Sequence, residues 1–169
     1  IICDVDGLKV VNDTAGHAAG DELLAEMGRL AAATVRTADR AFRIGGDEFA
    51  VLMPHTDADG ARVVGRRLLA AALETRPSSS VPESFSFSIG ISAFPSLTTD
   101  RRELYSQADS ALYWSKTHGR TMVQVFDPAR HTALGAPKHS AELSTSIMEL
   151  TTTRALKPVY QPIVELRHG

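Results

Sequence analysis

The sequence predicts an α/β sandwich, a mainly antiparallel sheet flanked by helices, on three observations. Ile1 to Asp6 is an apolar run ending in carboxylates, the pattern of a buried strand. Stretches beginning near Asp21, Asp57 and Arg101 carry apolar residues at helical spacing. Phe85, Phe87, Ile89 and Ile91 alternate with Ser86, Ser88, Gly90 and Ser92, the period of a strand with one polar face. A chain of 169 residues is long enough to bury one core of ordinary size.

The elements follow in order. After the first strand, Gly7 to Gly20 is rich in Gly, Asn, Asp and Thr and reads as a loop. Leu23, Leu24, Met27, Leu30 and Ala31 then mark a helix running to about Val35, with Asp21 at or near its cap. Ala41 to Ile44 and Phe49 to Met53 are two strands around Gly45-Gly46-Asp47-Glu48, a hairpin in which glycine permits positive φ. Val63, Val64, Leu68, Leu69 and Ala72 place a helix over Asp57 to Thr75, and Pro77 to Pro82 form a connector. The alternating strand is followed by a helix from Arg101 to Lys116 that stops near Gly119, and by a last strand from Met122 to Phe126. Residues 127 to about 141 read as a linker, Ile147, Leu150 and Leu156 as a short helix, and Val159 to Val164 as a strand. Up to residue 126 the order is β-α-β-β-α-β-α-β, and its first six elements follow the ferredoxin-like pattern.

Composition narrows the function. Lys and Arg number 18 against 20 Asp and Glu, a formal charge of -2, so there is no broad cationic face for nucleic acid or an anionic membrane. A single cysteine, Cys3, excludes an internal disulfide framework and suits a reducing compartment. No apolar run reaches the length of a membrane span, and a cytoplasmic location is expected. Ile1 sits inside an apolar run without an initiator Met, so the chain reads as an excerpt of a longer one.

In a β-α-β-β-α-β arrangement the first and third strands are antiparallel neighbours. Asp4 and Asp6, at the end of the first, then meet Asp47 and Glu48, at the start of the third. Carboxylates gathered in this way repel one another and raise their pKa values unless a cation neutralises them. Carboxylate and backbone oxygens are the ligands Mg²⁺ prefers, often completed by substrate phosphates. Taken singly, each is equally a solvated turn residue or a helix cap.

These residues fall in a pattern. Asp4-Val5-Asp6-Gly7-Leu8-Lys9, Asn12-Asp13, Gly16-His17, Gly20-Asp21 and Gly45-Gly46-Asp47-Glu48-Phe49 resemble the GGDEF domain of diguanylate cyclases. Ser88-Ile89-Gly90-Ile91, Ala108-Asp109-Ser110-Ala111-Leu112-Tyr113 and Lys116-Thr117-His118-Gly119-Arg120 continue the likeness, which covers residues 1 to about 127 in the family's order and spacing. It implies a ferredoxin-like, palm-type domain that condenses two GTP into cyclic di-GMP, releasing two pyrophosphates. Each of two GGDEF domains in a homodimer would hold one GTP. By resemblance, Asp4, the carbonyl of Val5 and Glu48 bind Mg²⁺ (or Mn²⁺), and Asp47 and Glu48 are catalytic. Asp47 lies beside the 3′-hydroxyl in the family, with metal sharing and deprotonation both open to it.

Gly45 and Gly46 let the backbone approach the nucleotide where a Cβ would intrude. By the same resemblance Asn12 and Asp21 read the guanine edge; a carboxylate accepts only, so it suits the N1–H and 2-amino donors of guanine. Helix capping for Asp21 and an Asn-Asp turn for Asn12 are compatible with those roles. The resemblance implies that Lys116 and Arg120 meet the terminal phosphate, with favourable pairing to a helix C-terminus as the competing account. Arg36-Thr37-Ala38-Asp39 lies five residues before Gly45, the offset of the inhibitory product-binding site in many diguanylate cyclases. That assigns Arg36 and Asp39 to cyclic di-GMP, against a surface salt bridge, with Arg66 or Arg67 adding a phosphate contact. His17 is given no catalytic role, and Trp114 is assigned to packing.

Two departures stand out. Leu8 replaces the more usual Phe, and the family's segment upstream of the first strand is absent. Ala155 to Val164 resembles the opening of an EAL phosphodiesterase domain. The expected division is a GGDEF domain at 1–127, a linker at 128–145 and the start of an EAL domain at 146–169, with a sensor upstream in the parent. A GGDEF module that binds GTP silently to regulate a downstream EAL domain, and a bare dimerisation scaffold, are the alternatives.

Overall fold

The computed structural model describes residues 1–75 and 85–131, and the backbone of a strand at Val164–Leu166. In chain order the elements are β1 (Ile2–Asp6), α1 (Leu8–Ala15), α2 (His17–Thr34), β2 (Arg40–Arg43), β3 (Glu48–Leu52) and α3 (Ala58–Glu74). Then come β4 (Ser86–Ile91), α4 (Arg101–Thr117), β5 (Val123–Val125), α5 (Pro128–His131) and β6 (Val164–Leu166). The strands form one sheet in the order β5-β4-β1-β3-β2-β6. Every pairing is antiparallel except β4 with β5. The expected α/β sandwich with β1 beside β3 is therefore the fold.

Alternation along β1 divides the layers. Cys3 and Val5 join Phe49, Val51, Phe87, Ile89 and Ile91 in the main core, beneath Leu23, Met27 and Ala31 of α2 and Ala61, Leu68 and Ala72 of α3. Cys3 is fully buried, its Sγ 3.5 Å from the carbonyl of Phe49, and burial pushes its thiol up to about 12. Ile2 lies on the opposite face with Ala108 and Leu112 of α4. There α4 presses onto β4: a Cβ on Gly90 would stand 2.0 Å from the carbonyl oxygen of Ala108 and 2.4 Å from the amide of Leu112.

Three local expectations are corrected. Gly7 to Gly20 is not a loop: it holds α1 and the first turn of α2, separated at Gly16, whose amide donates to the carbonyl of Asn12. The weak helix formers of Asn12-Asp13-Thr14 are overridden because the helix buries Val11 and packs Leu8 on the core. Asp21 accordingly sits in the second turn of α2 and caps nothing, since the N-cap is Gly16. Gly45 and Gly46 do close a hairpin, but neither takes a positive φ; among the described residues the glycines that do are Gly7, Gly16 and Gly119. The expected polar face of β4 is present, and it is buried at Ser86 and Ser88.

Asp57 caps α3 by accepting from the amide of Gly60 at 2.8 Å. The first four residues of the expected linker form the single turn α5. The connector at 77–82, the rest of the linker and the helix around Ile147 lie outside the described residues, as does most of the expected strand at 159–164. Val164–Leu166 runs antiparallel along β2, with Phe42 opposite Glu165.

Candidate functional site

Asp4 and Asp6 are two residues apart on β1, so both project from the face covered by α4. Asp4 is directly opposite Glu48 in the β1–β3 register, which sets their carboxylates on one face. The chain between β2 and β3 turns back at the same end. The amides of Ile44 and Gly45 donate to the carbonyl of Glu48 at 2.9 and 3.3 Å, and the amide of Val5 donates to the carbonyl of Asp47 at 3.0 Å. A Cβ on Gly45 would lie 2.8 Å from Glu48 Oε2, so a larger residue there would displace that carboxylate; a Cβ on Gly46 meets nothing within 4 Å.

Helix α4 supplies the cation. Lys116 Nζ is 2.6 Å from Asp4 Oδ2. Asp4 is 5% exposed, and burial raises its carboxyl to about 6. The hydrogen bond and charge of Lys116 oppose that rise, while Asp47 and Glu48 add to it. Arg120, just past the end of α4, brings its Nε to 3.9 Å from Asp6 Oδ1. One sheet end therefore holds Asp4, Val5, Gly45, Gly46, Asp47, Glu48 and Lys116, with Arg120 reached through Asp6.

Asn12 and Asp21 are placed by the packing of α1 on α2. Gly20 is buried against Asn12: a Cβ there would fall 1.9 Å from Asn12 Oδ1, so the two helices touch at the residue preceding Asp21. Asp21 itself is exposed and Asn12 half-buried.

Arg36 and Asp39 lie elsewhere. Asp39 is buried, with Oδ1 accepting from Arg36 Nε at 3.1 Å and Oδ2 from the Arg36 amide at 3.2 Å. Arg36 Nη2 also donates to the carbonyl of Pro54 and the hydroxyl of Thr56, beyond the end of β3 remote from Glu48. The guanidinium of Arg67 donates to the carbonyl of Thr34. This pair thus ties the end of α2 to the far end of the sheet.

Two groups escaped the sequence reading. Arg43 donates from Nε and Nη2 to the carbonyls of Gly45 and Gly46, the shortest contact being 2.7 Å, and so braces the turn that carries Asp47 and Glu48. Its place two residues before the glycine pair was the available signal. Around Asp6, Ser86, Ser88 and Thr121 form a polar cluster. The alternating serines of β4 announced it, but only the β1–β4 register shows that they face a carboxylate.

Trp114 stacks on His118 with ring centroids 4.0 Å apart and meets His131 of α5 edge-on at 6.0 Å, the packing role expected of it. A recess of about 940 Å³ opens at the other end of the sheet, among Leu52, Met53, Phe94, Leu104 and Tyr105, away from the acidic group. Among the described residues no helix is long and apolar enough to cross a membrane.

Residues 1–122 match the family model described as diguanylate cyclase, GGDEF domain. The chain is 37% identical over 153 residues to the probable diguanylate cyclase DgcE of Escherichia coli K12, covering 88% of this chain and 13% of DgcE. It is 31% identical over 169 residues to MucR of Pseudomonas aeruginosa, a bifunctional diguanylate cyclase/cyclic di-GMP phosphodiesterase, covering 100% of this chain and 24% of MucR. The chain thus spans about a quarter or less of either relative's length. Its fold is similar to the crystal structure of the GGDEF domain of PA1120 (YfiN or TpbB) from Pseudomonas aeruginosa. The TM-score is 0.69 at 32% identity, over 75% of this chain and 80% of that one.

Proposed function

The chain belongs to the GGDEF family of diguanylate cyclase domains, and from that premise we propose that it condenses two GTP into cyclic di-GMP. The observation that carries the reading is the register of Asp4 against Glu48, at the sheet end that also bears the Gly45-Gly46 turn and Lys116. In the reaction the 3′-hydroxyl oxygen of each GTP attacks the α-phosphorus of the other. Each attack forms a P–O bond, breaks the bond to the β-phosphate bridge and releases pyrophosphate, the hydroxyl proton passing to a base. Two nucleotides must be aligned for this, so the active species is a homodimer of GGDEF domains.

The donor set suits Mg²⁺ or Mn²⁺. Asp4, Glu48 and the Val5 carbonyl are hard oxygen ligands, and two carboxylates completed by substrate phosphates are what Mg²⁺ takes. Among the described residues no three acidic, His or Cys side chains gather to hold a metal ion by themselves. Burial of Asp4 beside Asp47 and Glu48 leaves negative charge that a divalent cation would compensate. When bound, the ion would neutralise the triphosphate and polarise its reacting phosphorus.

The chain's own groups do the remainder. Lys116 and Arg120 bind the terminal phosphate, Asn12 and Asp21 select guanine, and Asp47 orients the 3′-hydroxyl or takes its proton. Arg36 and Asp39 form the inhibitory cyclic di-GMP site; the product would replace the contacts these two now make with each other. The Arg-x-x-Asp offset supports that assignment. The reading of 128–145 as a linker and 146–169 as the start of an EAL domain rests on Ala155 to Val164 and on the match to bifunctional MucR over 169 residues. The cytoplasm, where GTP is held, is the compartment this chemistry requires, with a sensor upstream and an EAL domain downstream as partners in the parent chain.

The test is incubation with GTP and Mg²⁺, with products resolved by chromatography. Wild type should yield cyclic di-GMP, and Glu48→Gln should yield none while keeping its circular dichroism. GTP bound yet unconverted at high protein concentration would make the domain a silent regulatory module instead.

A further inference from the structure

The geometry points to Asp6 as a positioning residue that presets Arg120 for the triphosphate, and not as a third metal ligand; this rests on the phosphate-binding reading of Arg120. Gly119, Arg120 and Thr121 all take positive φ, at 116°, 60° and 51°. For an arginine followed by a β-branched threonine this is an unfavourable backbone that persists only where its surroundings hold it. Three contacts hold it. The amide of Arg120 donates to the carbonyl of Ser115 at 2.9 Å. The amide of Thr121 donates to Asp6 Oδ2 at 3.1 Å, and the Thr121 hydroxyl lies 2.8 Å from that of Ser86.

Asp6 anchors the last two. Oδ2 also accepts from Ser86 Oγ at 2.9 Å, and Oδ1 accepts from Ser88 Oγ at 2.8 Å. With both oxygens engaged by protein donors and the side chain 10% exposed, the carboxylate is committed to this end of the chain. Its contact with Arg120 is the longer one, 3.9 Å to Nε, and the Arg120 side chain is 63% exposed. Asp6 thus sets Arg120 chiefly through the backbone that follows it, and the exposed guanidinium is left available for a phosphate. Asp4, two residues earlier on the same face, is the carboxylate turned to Lys116 and to Glu48.

The experiment measures binding of a non-hydrolysable GTP analogue and of GMP, each with Mg²⁺, to the full chain and to Asp6→Asn, Arg120→Ala and the double variant. Asp6→Asn should weaken the GTP analogue about tenfold, as loss of a charge-assisted anchor does. GMP affinity and the Mg²⁺ concentration for half-saturation should be unchanged. In the Arg120→Ala background Asp6→Asn should add less than about twofold, because a residue acting through another loses its effect when that one is gone. Where turnover is followed, KM rises and kcat holds, the pattern of lost substrate binding. Ser86→Ala, which keeps the carboxylate and removes one of its donors, should move GTP affinity in the same direction by a smaller factor, and it decides the matter if Asp6→Asn does not fold.

Equal weakening of GMP, effects that multiply fully in the double variant, tighter GTP binding, or a raised Mg²⁺ requirement would each overturn the inference. Failure of the underlying reading looks different. There, wild type would not distinguish the GTP analogue from GMP, or Arg120→Ala would bind as wild type does, and the role of Asp6 would fall with that of Arg120.

Discussion

Lys116 Nζ stands 2.6 Å from Asp4 Oδ2, so a residue near the end of α4 is the counter-ion of one near the end of β1. Burial nevertheless wins, and the carboxyl lies at about 6. Because this folded value is above that of the unfolded chain, the stability Asp4 contributes is fully present below about pH 4 and is lost as pH rises through about 6. The stability of wild type relative to Asp4→Asn, read from thermal melts without divalent ions, should therefore fall across that window. A difference that grows over the same interval contradicts the assignment. Mg²⁺ binding should also weaken below pH 6, by about tenfold per unit as one proton competes with the ion.

The same pair predicts what Lys116→Gln does. Lys116 holds Asp4 down through its hydrogen bond and its charge. Without it the acid limb of Mg²⁺-dependent GTP binding should move to higher pH. Calorimetric titrations at a series of pH values give the midpoint; an unmoved limb would mean that Asp4 does not govern it.

The two glycines of the turn should respond differently to alanine. In Gly45→Ala the new methyl meets Glu48 Oε2 at 2.8 Å, so the carboxylate must leave its place. Cyclic di-GMP formation should fall by at least about tenfold while the melting temperature moves little, since a half-exposed side chain can swing aside. Gly46→Ala meets nothing in the free protein and should leave stability unchanged. If it also abolishes product, the methyl is excluded by the nucleotide, as the resemblance implies. Parallel turnover and melting measurements separate the cases.

His131 supplies an optical prediction. Its Nδ1 accepts from the amide of Asp127 at 2.8 Å, and its Nε2 is buried without a hydrogen-bond partner. Burial lowers its pKa; Asp127 opposes the shift, while Arg130 and His118 add to it. With a lowered folded value, the stability His131 gives to α5 is complete above about pH 6.5 and is lost as pH falls below it. Trp114, the single tryptophan, sits against this ring and reports the change. In a His118→Gln background, Trp114 emission should shift with a midpoint below 6.5, and His131→Phe should remove the transition.

The strand pattern and the acidic end of the sheet were legible because period-two alternation and chain order determine which strand ends meet. Asp4 and Glu48 follow from that alone. The helix α1 was not legible, since its residues favour turns in isolation and become helical through the burial of Val11 and the contact of Asn12 with Gly20. For the turn glycines the expected positive φ is absent, and what the fold shows at Gly45 is the Glu48 carboxylate, 2.8 Å from where a Cβ would stand. Asp6 was placed in the acidic group, but its serine partners lie some eighty residues along the chain and no local spacing records them; Arg43 was passed over because its partners are backbone carbonyls.

Cys3 offers a clock. Its thiol, fully buried and held at about 12, sits next to Asp4 and opposite Phe49, the neighbour of Glu48. A thiol reagent reaches it only when the core beneath α2 and α3 opens, so the labelling rate of this single cysteine counts how often the sheet that carries the acidic pair loses its cover. Nucleotide and Mg²⁺ that bind the closed fold would slow the clock as their occupancy rises, which weighs ligands without waiting for any of them to react.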